Sequence, residues 1–288
     1  MMTHLWIRNH CLFCAVTLLT FCAAAQSDTD NCQYRPVTSV FTAGVGPASS
    51  LDSYLSDVSY TGINASLGYE HLQATGFSPR RWVRQLAISA DFRHMKNPAR
   101  NRKAYTVGLT ARWGMMHRWS GVFTPGLSLF AGASTGIDCQ VEYRPSNSNN
   151  LLAVHAEWDV GATAMAVYNT RLRNTPVSLR YQAEVPVVGV LYSPQYDESY
   201  YEMYVGNRSG LAHFASWGCR FAITNSVFAD FRLGSTILRI GYQNRYYSSS
   251  VSHISYRRST HSFIVGVGGE FLSMGTKRPV LNSASAIY

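Results

Sequence analysis

Charge is scarce in this 288-residue chain: only 14% of its residues are Asp, Glu, Lys or Arg, where soluble domains carry about a quarter. Acid is the scarcer sign, with 16 Asp and Glu against 25 Lys and Arg, for a formal charge of +9. The cations are scattered rather than run together, which argues against a nucleic-acid-binding patch. Proline is limited to 10 residues, and 46% of the chain is hydrophobic, too much for a disordered polypeptide. Cysteine is sparse as well: three of the six fall before residue 26, leaving Cys32, Cys139 and Cys219 with no C-x-x-C spacing. An odd, widely spaced set indicates neither a zinc site nor a disulfide framework, and at most one bridge can form. No H-E-x-x-H, glycine-rich phosphate loop or EF-hand pattern occurs, and the sequence nominates no catalytic, cofactor-binding or metal-binding residues.

The N-terminus is the exception to the scarcity of apolar runs. Met1 to His10 carry Arg8 and no acid, Cys11 to Phe21 are almost wholly apolar, and Ala23-Ala24-Ala25 precedes Gln26. That order is expected of a secretory signal peptide cleaved after residue 25. A lipoprotein signal ending at Cys22 is the competing reading, disfavoured by the bulky Phe21 just before it. Removing Arg8 with the leader leaves a net charge of +8. Beyond it no 18 consecutive residues are apolar, so the exported chain has no transmembrane helix and must be soluble or span a membrane as a closed sheet.

What fills the remainder is alternation. Tyr105, Val107, Leu109, Ala111, Trp113 and Met115 share one parity, while Thr106, Gly108, Thr110, Arg112 and Gly114 share the other. Period two with one apolar and one polar or small face is a strand. Val177 to Val185 repeats it, with Ser178, Arg180, Gln182 and Glu184 on the polar side. The same test predicts ten strands, near 38–46, 58–71, 82–95, 104–115, 121–135, 151–168, 176–189, 219–232, 236–247 and 261–272, with eight or twelve as neighbouring counts. Short connections at 72–81, 116–120, 169–175 and 233–235 interleave with long ones at 136–150, 190–218 and 248–260. An even strand number with short periplasmic turns and long outer loops is the pattern of an outer-membrane barrel.

The fold class expected is therefore all-β: an antiparallel up-and-down transmembrane β-barrel over residues 38–272. A signal peptide at 1–25 and a short periplasmic segment at 26–37 precede it, and a tail at 273–288 follows. Strand length separates this reading from a soluble periplasmic sandwich, because strands of roughly 11–15 residues exceed the globular mode of about five or six. Tyr69, Trp82, Trp113 and Tyr168 fall beside the proposed periplasmic turns, where an aromatic girdle belongs. The last strand, Ser262 to Phe271, is similar to the aromatic-ended signal read by the barrel assembly machinery.

Carrying the register forward turns Glu70, Asp91, Arg93, Arg112, His155, Glu157 and Asp159 toward the lumen. Arg180, Glu184, Asp230, Arg232, Arg239, Arg245 and Glu270 join them. Near-balanced charge in a barrel this narrow predicts internal pairing and a lumen packed with salt bridges. His155, Glu157 and Asp159 share one face of a strand and form the best candidate catalytic cluster, although no nucleophile accompanies them. Ten strands are also similar to omptin proteases, and Asp197, Glu198 and His213 lie in one long loop, but that likeness stops at the strand number. Tyr192, Tyr196, Tyr200, Tyr201 and Tyr204 make a second candidate surface, either a recognition patch or a lid. Lys96, Arg100, Arg102 and Lys103, with His253, Arg257, Arg258 and His261, would make the outer rim basic and suited to lipopolysaccharide phosphates.

The run Pro186-Val187-Val188-Gly189-Val190, then Ser193-Pro194, Ser199-Tyr200-Tyr201-Glu202, Leu238 to Tyr242 and Phe263 to Gly266, resembles an uncharacterised family of exported Bacteroidetes proteins. That family is known as a domain of unknown function. The resemblance implies a Gram-negative envelope protein and transfers no ligand or catalytic residue. The expectation is a non-enzymatic outer-membrane protein in contact with membrane lipids and lipopolysaccharide. A narrow or gated pore is the alternative, and an envelope hydrolase acting on lipid or peptide the second.

Overall fold

The computed structural model describes residues 35–121, 123–147, 151–173, 175–193 and 211–273. Eleven strands follow in chain order: β1 Arg35–Asp52, β2 Ser56–Ala74, β3 Trp82–Lys96, β4 Lys103–Ser120, β5 Leu127–Tyr143 and β6 Leu152–Leu172, then β7 Thr175–Tyr192, β8 Ala212–Ser216, β9 Arg220–Leu233, β10 Thr236–Val251 and β11 Ile254–Ser273. Each pairs antiparallel with its neighbours, and β1 closes on β11 from Arg35↔Ser273 to Asp52↔Tyr256. β8 and β9 are two pieces of one wall position, since β7 pairs with β9 over Val177–Glu184 and with β8 over Val188–Tyr192. The result is a closed, all-β, ten-stranded up-and-down barrel, as the alternation predicts. No helix among the described residues is long and apolar enough to cross a membrane.

Several boundaries differ from expectation. β1 begins at Arg35 rather than 38, and β11 runs to Ser273 rather than 272. The long loop expected at 248–260 is a two-residue hairpin: β10 and β11 pair up to Val251↔Ile254 around Ser252 and His253, both at positive φ. That conformation matches the twist of the flanking strands, as in a type I′ turn, although neither residue is the usual Asn or Gly. β5 likewise extends to Tyr143 through the loop expected from 136, and residues 47–52, expected to be loop, finish β1. Among the expected short turns, 116–120 lies inside β4. Trp119 therefore occupies the turn-proximal end assigned to Trp113, which sits six residues back from it on the same strand face.

The wall is inside out relative to a water-soluble domain. Phe41 (64% exposed), Leu67 (68%) and Phe263 (55%) stand on the outer face, whereas Arg93 is fully buried within. A continuous apolar exterior of this extent has no place in water, and it matches a hydrocarbon surround. At the end where β1 begins and β11 ends, Trp82 packs edge-on against His117, with ring centroids 5.1 Å apart. Trp119 lies 4.5 Å from the same ring, so an aromatic girdle marks that boundary. Neighbouring backbone comes close where an inward side chain is missing: a Cβ on Gly62 would sit 2.0 Å from the carbonyl oxygen of His94. At the end of the lumen nearest Trp82 and Trp119, Leu72, Val83, Met116, Phe130, Met165 and Val167 form a buried apolar cluster.

Candidate functional site

Every one of the fourteen charged or histidine residues predicted to face inward does so. Strand extension adds Asp52, Asp138, Glu142, Arg118 and Arg258 to them, and Arg144 just past β5 and Arg220 within the expected strand 219–232 join them, which brings the described lumen to ten arginines and ten carboxylates. Asp57 is then the one described acid outside the lumen, and the remaining described Lys and Arg residues decorate the two rims and the outer wall.

The pairs are layered along the barrel axis. Nearest the apolar cluster, Glu70 accepts from Arg180 at 2.8 Å and from Arg239, whose guanidinium also grips Asp230 through two bonds of 2.7 and 2.8 Å. Phe228 lies within 5.0 Å of the Arg180 guanidinium carbon and 4.8 Å of that of Arg239, adding cation–π attraction. In the next layer Arg112 holds Asp159 bidentately at 2.8 and 2.9 Å and reaches Glu184 at 3.5 Å. Further out, Arg93 donates to Asp91 at 3.0 Å and to Gln140, and Arg258 reaches Asp138 at 3.3 Å. Paired, hydrogen-bonded guanidinium and carboxylate groups are the arrangement in which buried charge is tolerated. A cavity of about 150 Å³, lined among others by Ser66, Glu184 and Arg245, is enough for several waters.

The predicted cluster of His155, Glu157 and Asp159 shares one face but not one task. His155 Nε2 lies 3.0 Å from Asp52 Oδ2 and its ring stacks on Tyr256 at 3.8 Å. Glu157 is taken by Arg220 and by the Tyr247 hydroxyl at 2.7 Å, while Asp159 is taken by Arg112. The histidine thus has its carboxylate on β1, a partner the strand-local pattern could not show. Among the described hydrogen bonds, none joins His155 to a serine or threonine hydroxyl. His155→Ala is expected to leave a folded barrel destabilised by about 1–3 kcal/mol, because Asp52 stays buried without its partner. Urea titration in detergent measures this, whereas lost turnover of a lipid or peptide at unchanged stability would assign His155 to chemistry.

At the outer end the described residues form a further set of contacts. Arg144 donates to Glu142 at 2.8 Å and lies over Tyr60 at 4.3 Å, and Ser50 donates to the same carboxylate at 3.1 Å. Tyr54, Ala153 and Ile254 cluster beside this network, with Leu55 packed on them, and Asn147 donates to the Leu55 carbonyl at 3.0 Å. His213 Nε2 lies 3.3 Å from both the Ser193 carbonyl and the Ser252 hydroxyl, which ties β8 to the β10–β11 hairpin. Asp197, Glu198, Tyr196, Tyr200, Tyr201 and Tyr204 lie outside the described residues. Cys139 and Cys219 are free thiols, so they do not bridge to each other, and Cys32 is outside the described residues.

No curated protein matches the chain. Among solved structures, the β domain of the Bordetella autotransporter BrkA is 12% identical, with 83% of this chain and 100% of that one covered, at a TM-score of 0.38. The translocator domain of NalP from Neisseria meningitidis is 11% identical, with 93% and 99% covered, at 0.33. The transport unit of AIDA-I from Escherichia coli is 11% identical, with 84% and 92% covered, at 0.36. These superpositions are loose, and the barrel assignment stands on the strand register instead. A family model agrees with the resemblance carried by the β7 and β10–β11 motifs: over residues 11–278 the chain matches, and it belongs to, the family described as protein of unknown function, DUF3316.

Proposed function

We propose that this protein is an outer-membrane β-barrel with a non-enzymatic, structural or surface-interaction role, exported by a cleaved signal peptide and inserted by the barrel assembly machinery. The observation that supports the reading is the inversion of charge and apolarity across the wall: carboxylates cancelled by arginines inside, exposed Phe, Leu, Ile and Val outside. A lumen filled in this way is a strut. Its ions hold ten strands in register and leave the outer surface free to contact lipid and lipopolysaccharide.

Migration of the mature protein in detergent with and without boiling tests the barrel, and planar-bilayer recording tests the strut. Heat-modifiable mobility and no steady single-channel current are expected, because an ion crossing the lumen must pass the arginine–carboxylate layers. Resolved conductance steps that change on substituting Glu184 or Arg245 would replace the strut by a pore. Release into the periplasm without detergent would overturn the membrane reading altogether.

A further inference from the structure

A groove of about 720 Å³ lies on the outer face of the wall, away from the lumen, where β11, β1, β2 and β3 meet the β3–β4 loop. Lys96, Arg100, His94 and His261 border it, with the hydroxyls of Ser49, Thr61 and Ser259 between them. Among the described residues, no ion pair with a carboxylate engages Lys96 or Arg100, in contrast to most arginines of the lumen. Lys96 also sits directly opposite Lys103 in the β3–β4 ladder, an adjacency that repels unless an anion lies close by.

The loop presenting Arg100 is preorganised. Asn97 exchanges backbone bonds with Arg100 and Arg102 at 2.9 and 3.2 Å, its side-chain oxygen accepts from the Arg102 amide at 3.1 Å, and its amide nitrogen donates to Asn101 at 2.7 Å. Arg100 itself is held at a φ of 57°, a conformation that costs a non-glycine residue energy. His261 is likewise fixed, with Asn244 at 3.2 Å and Ser259 at 3.4 Å from its ring nitrogens. Immediately below on the same strands, Val45, Ile63, Phe92 and Phe263 are exposed.

Cations above an apolar wall describe the outline of an amphiphile, anionic at its head and hydrocarbon below it. We infer that this groove binds the phosphorylated headgroup of an outer-leaflet glycolipid, with Lys96 and Arg100 on the phosphate and Val45, Ile63, Phe92 and Phe263 against the acyl chains. The assignment rests on the outer-membrane reading and names the contact that reading leaves general. A guanidinium forks onto two phosphoryl oxygens, the lysine adds a point charge, and the serine and threonine hydroxyls supply neutral donors.

The test uses the full mature protein in detergent, stripped of co-purified lipid, with bisphosphorylated lipid A as the probe and native mass spectrometry as the readout. The K96Q/R100Q double variant should bind about tenfold more weakly or worse, the dephosphorylated probe should bind no better to wild type than to the variant, and R171Q/R173Q at the opposite rim should match wild type. Equal binding by wild type and K96Q/R100Q overturns the inference. So does equal binding of the dephosphorylated lipid, or inorganic phosphate bound with the same variant sensitivity while the lipid is not. Heat-modifiable migration of each variant is measured alongside. A barrel that migrates normally but ignores the lipid removes this site alone, whereas a protein that needs no detergent removes the outer-membrane reading first.

Discussion

Replacing Arg239 with methionine is expected to cost the barrel about 3–5 kcal/mol of stability. Arg239 and Asp230 are both almost wholly buried and share two short hydrogen bonds, and Arg239 alone links Asp230 to Glu70. Methionine fills much of the volume but leaves the Asp230 carboxylate in the lumen with no counter-ion, and that uncompensated charge is the larger penalty. Glu70 suffers less because Arg180 stays within 2.8 Å. The second substitution Asp230→Leu should therefore recover most of the loss, since a matched apolar pair needs no ion. Urea unfolding midpoints in lipid vesicles, read by tryptophan fluorescence, measure both steps. A single variant as stable as wild type would mean that the pairs are ornamental and that water reaches Asp230 freely.

Leu67→Arg addresses the outside with the opposite logic. Leu67 is mid-strand in β2 and points outward at 68% exposure. In water, exchanging an exposed leucine for arginine changes stability by less than about 0.5 kcal/mol. Against hydrocarbon near the bilayer midplane the same exchange costs about 2–4 kcal/mol. The comparison with Thr61→Arg, on the same strand and face but at its outer end, controls for strand propensity and should be nearly neutral. Equal effects at the two heights would contradict a lipid-facing band around the middle of the wall.

Much of this architecture is legible in the residues, and its limits have physical causes. Alternation finds the strands and the inward charges because the middle of each strand separates hydrocarbon from a polar lumen. It fades toward the outer ends, where the exterior is polar too: Ser49, Thr61, Lys96, Ser248 and Ser259 face outward on strands that continue to pair. Asp52, Asp138, Glu142 and Arg258 were therefore hidden in segments expected to be loops or turns, whereas Arg220 lies within the expected strand 219–232. At the other end the pattern fades for the reverse reason. Met116 and Phe130 point inward into an apolar cluster, so both faces of β4 and β5 are apolar there and mimic a turn boundary. In β7 the register slips between Val160↔Val188 and Gly161↔Pro186, so Val188 and Val190 face out while Leu191 faces in. A single extra residue of this kind inverts every later assignment on its strand and leaves no compositional mark. The partner of His155 was invisible for a simpler reason, since Asp52 is 103 residues away.

The span of the lumen contacts bears on how the chain reaches this state. Hairpins between consecutive strands need only local pairing, and they can form before the wall is continuous. Glu70 and Arg239 are separated by 169 residues, Arg258 and Asp138 by 120, and Arg180 and Glu70 by 110. Those contacts exist only once the curled sheet has come round and β1 has met β11. An intermediate open at that seam, or shifted along it by one residue, would hold carboxylates facing other carboxylates in a poorly solvated interior. The long-range pairs thus act as a proofreading step for closure: unlike Arg239 and Asp230, which already face each other in the β9–β10 hairpin, they form only when the ring closes, and they penalise nearly closed rings in which those acids miss their arginines.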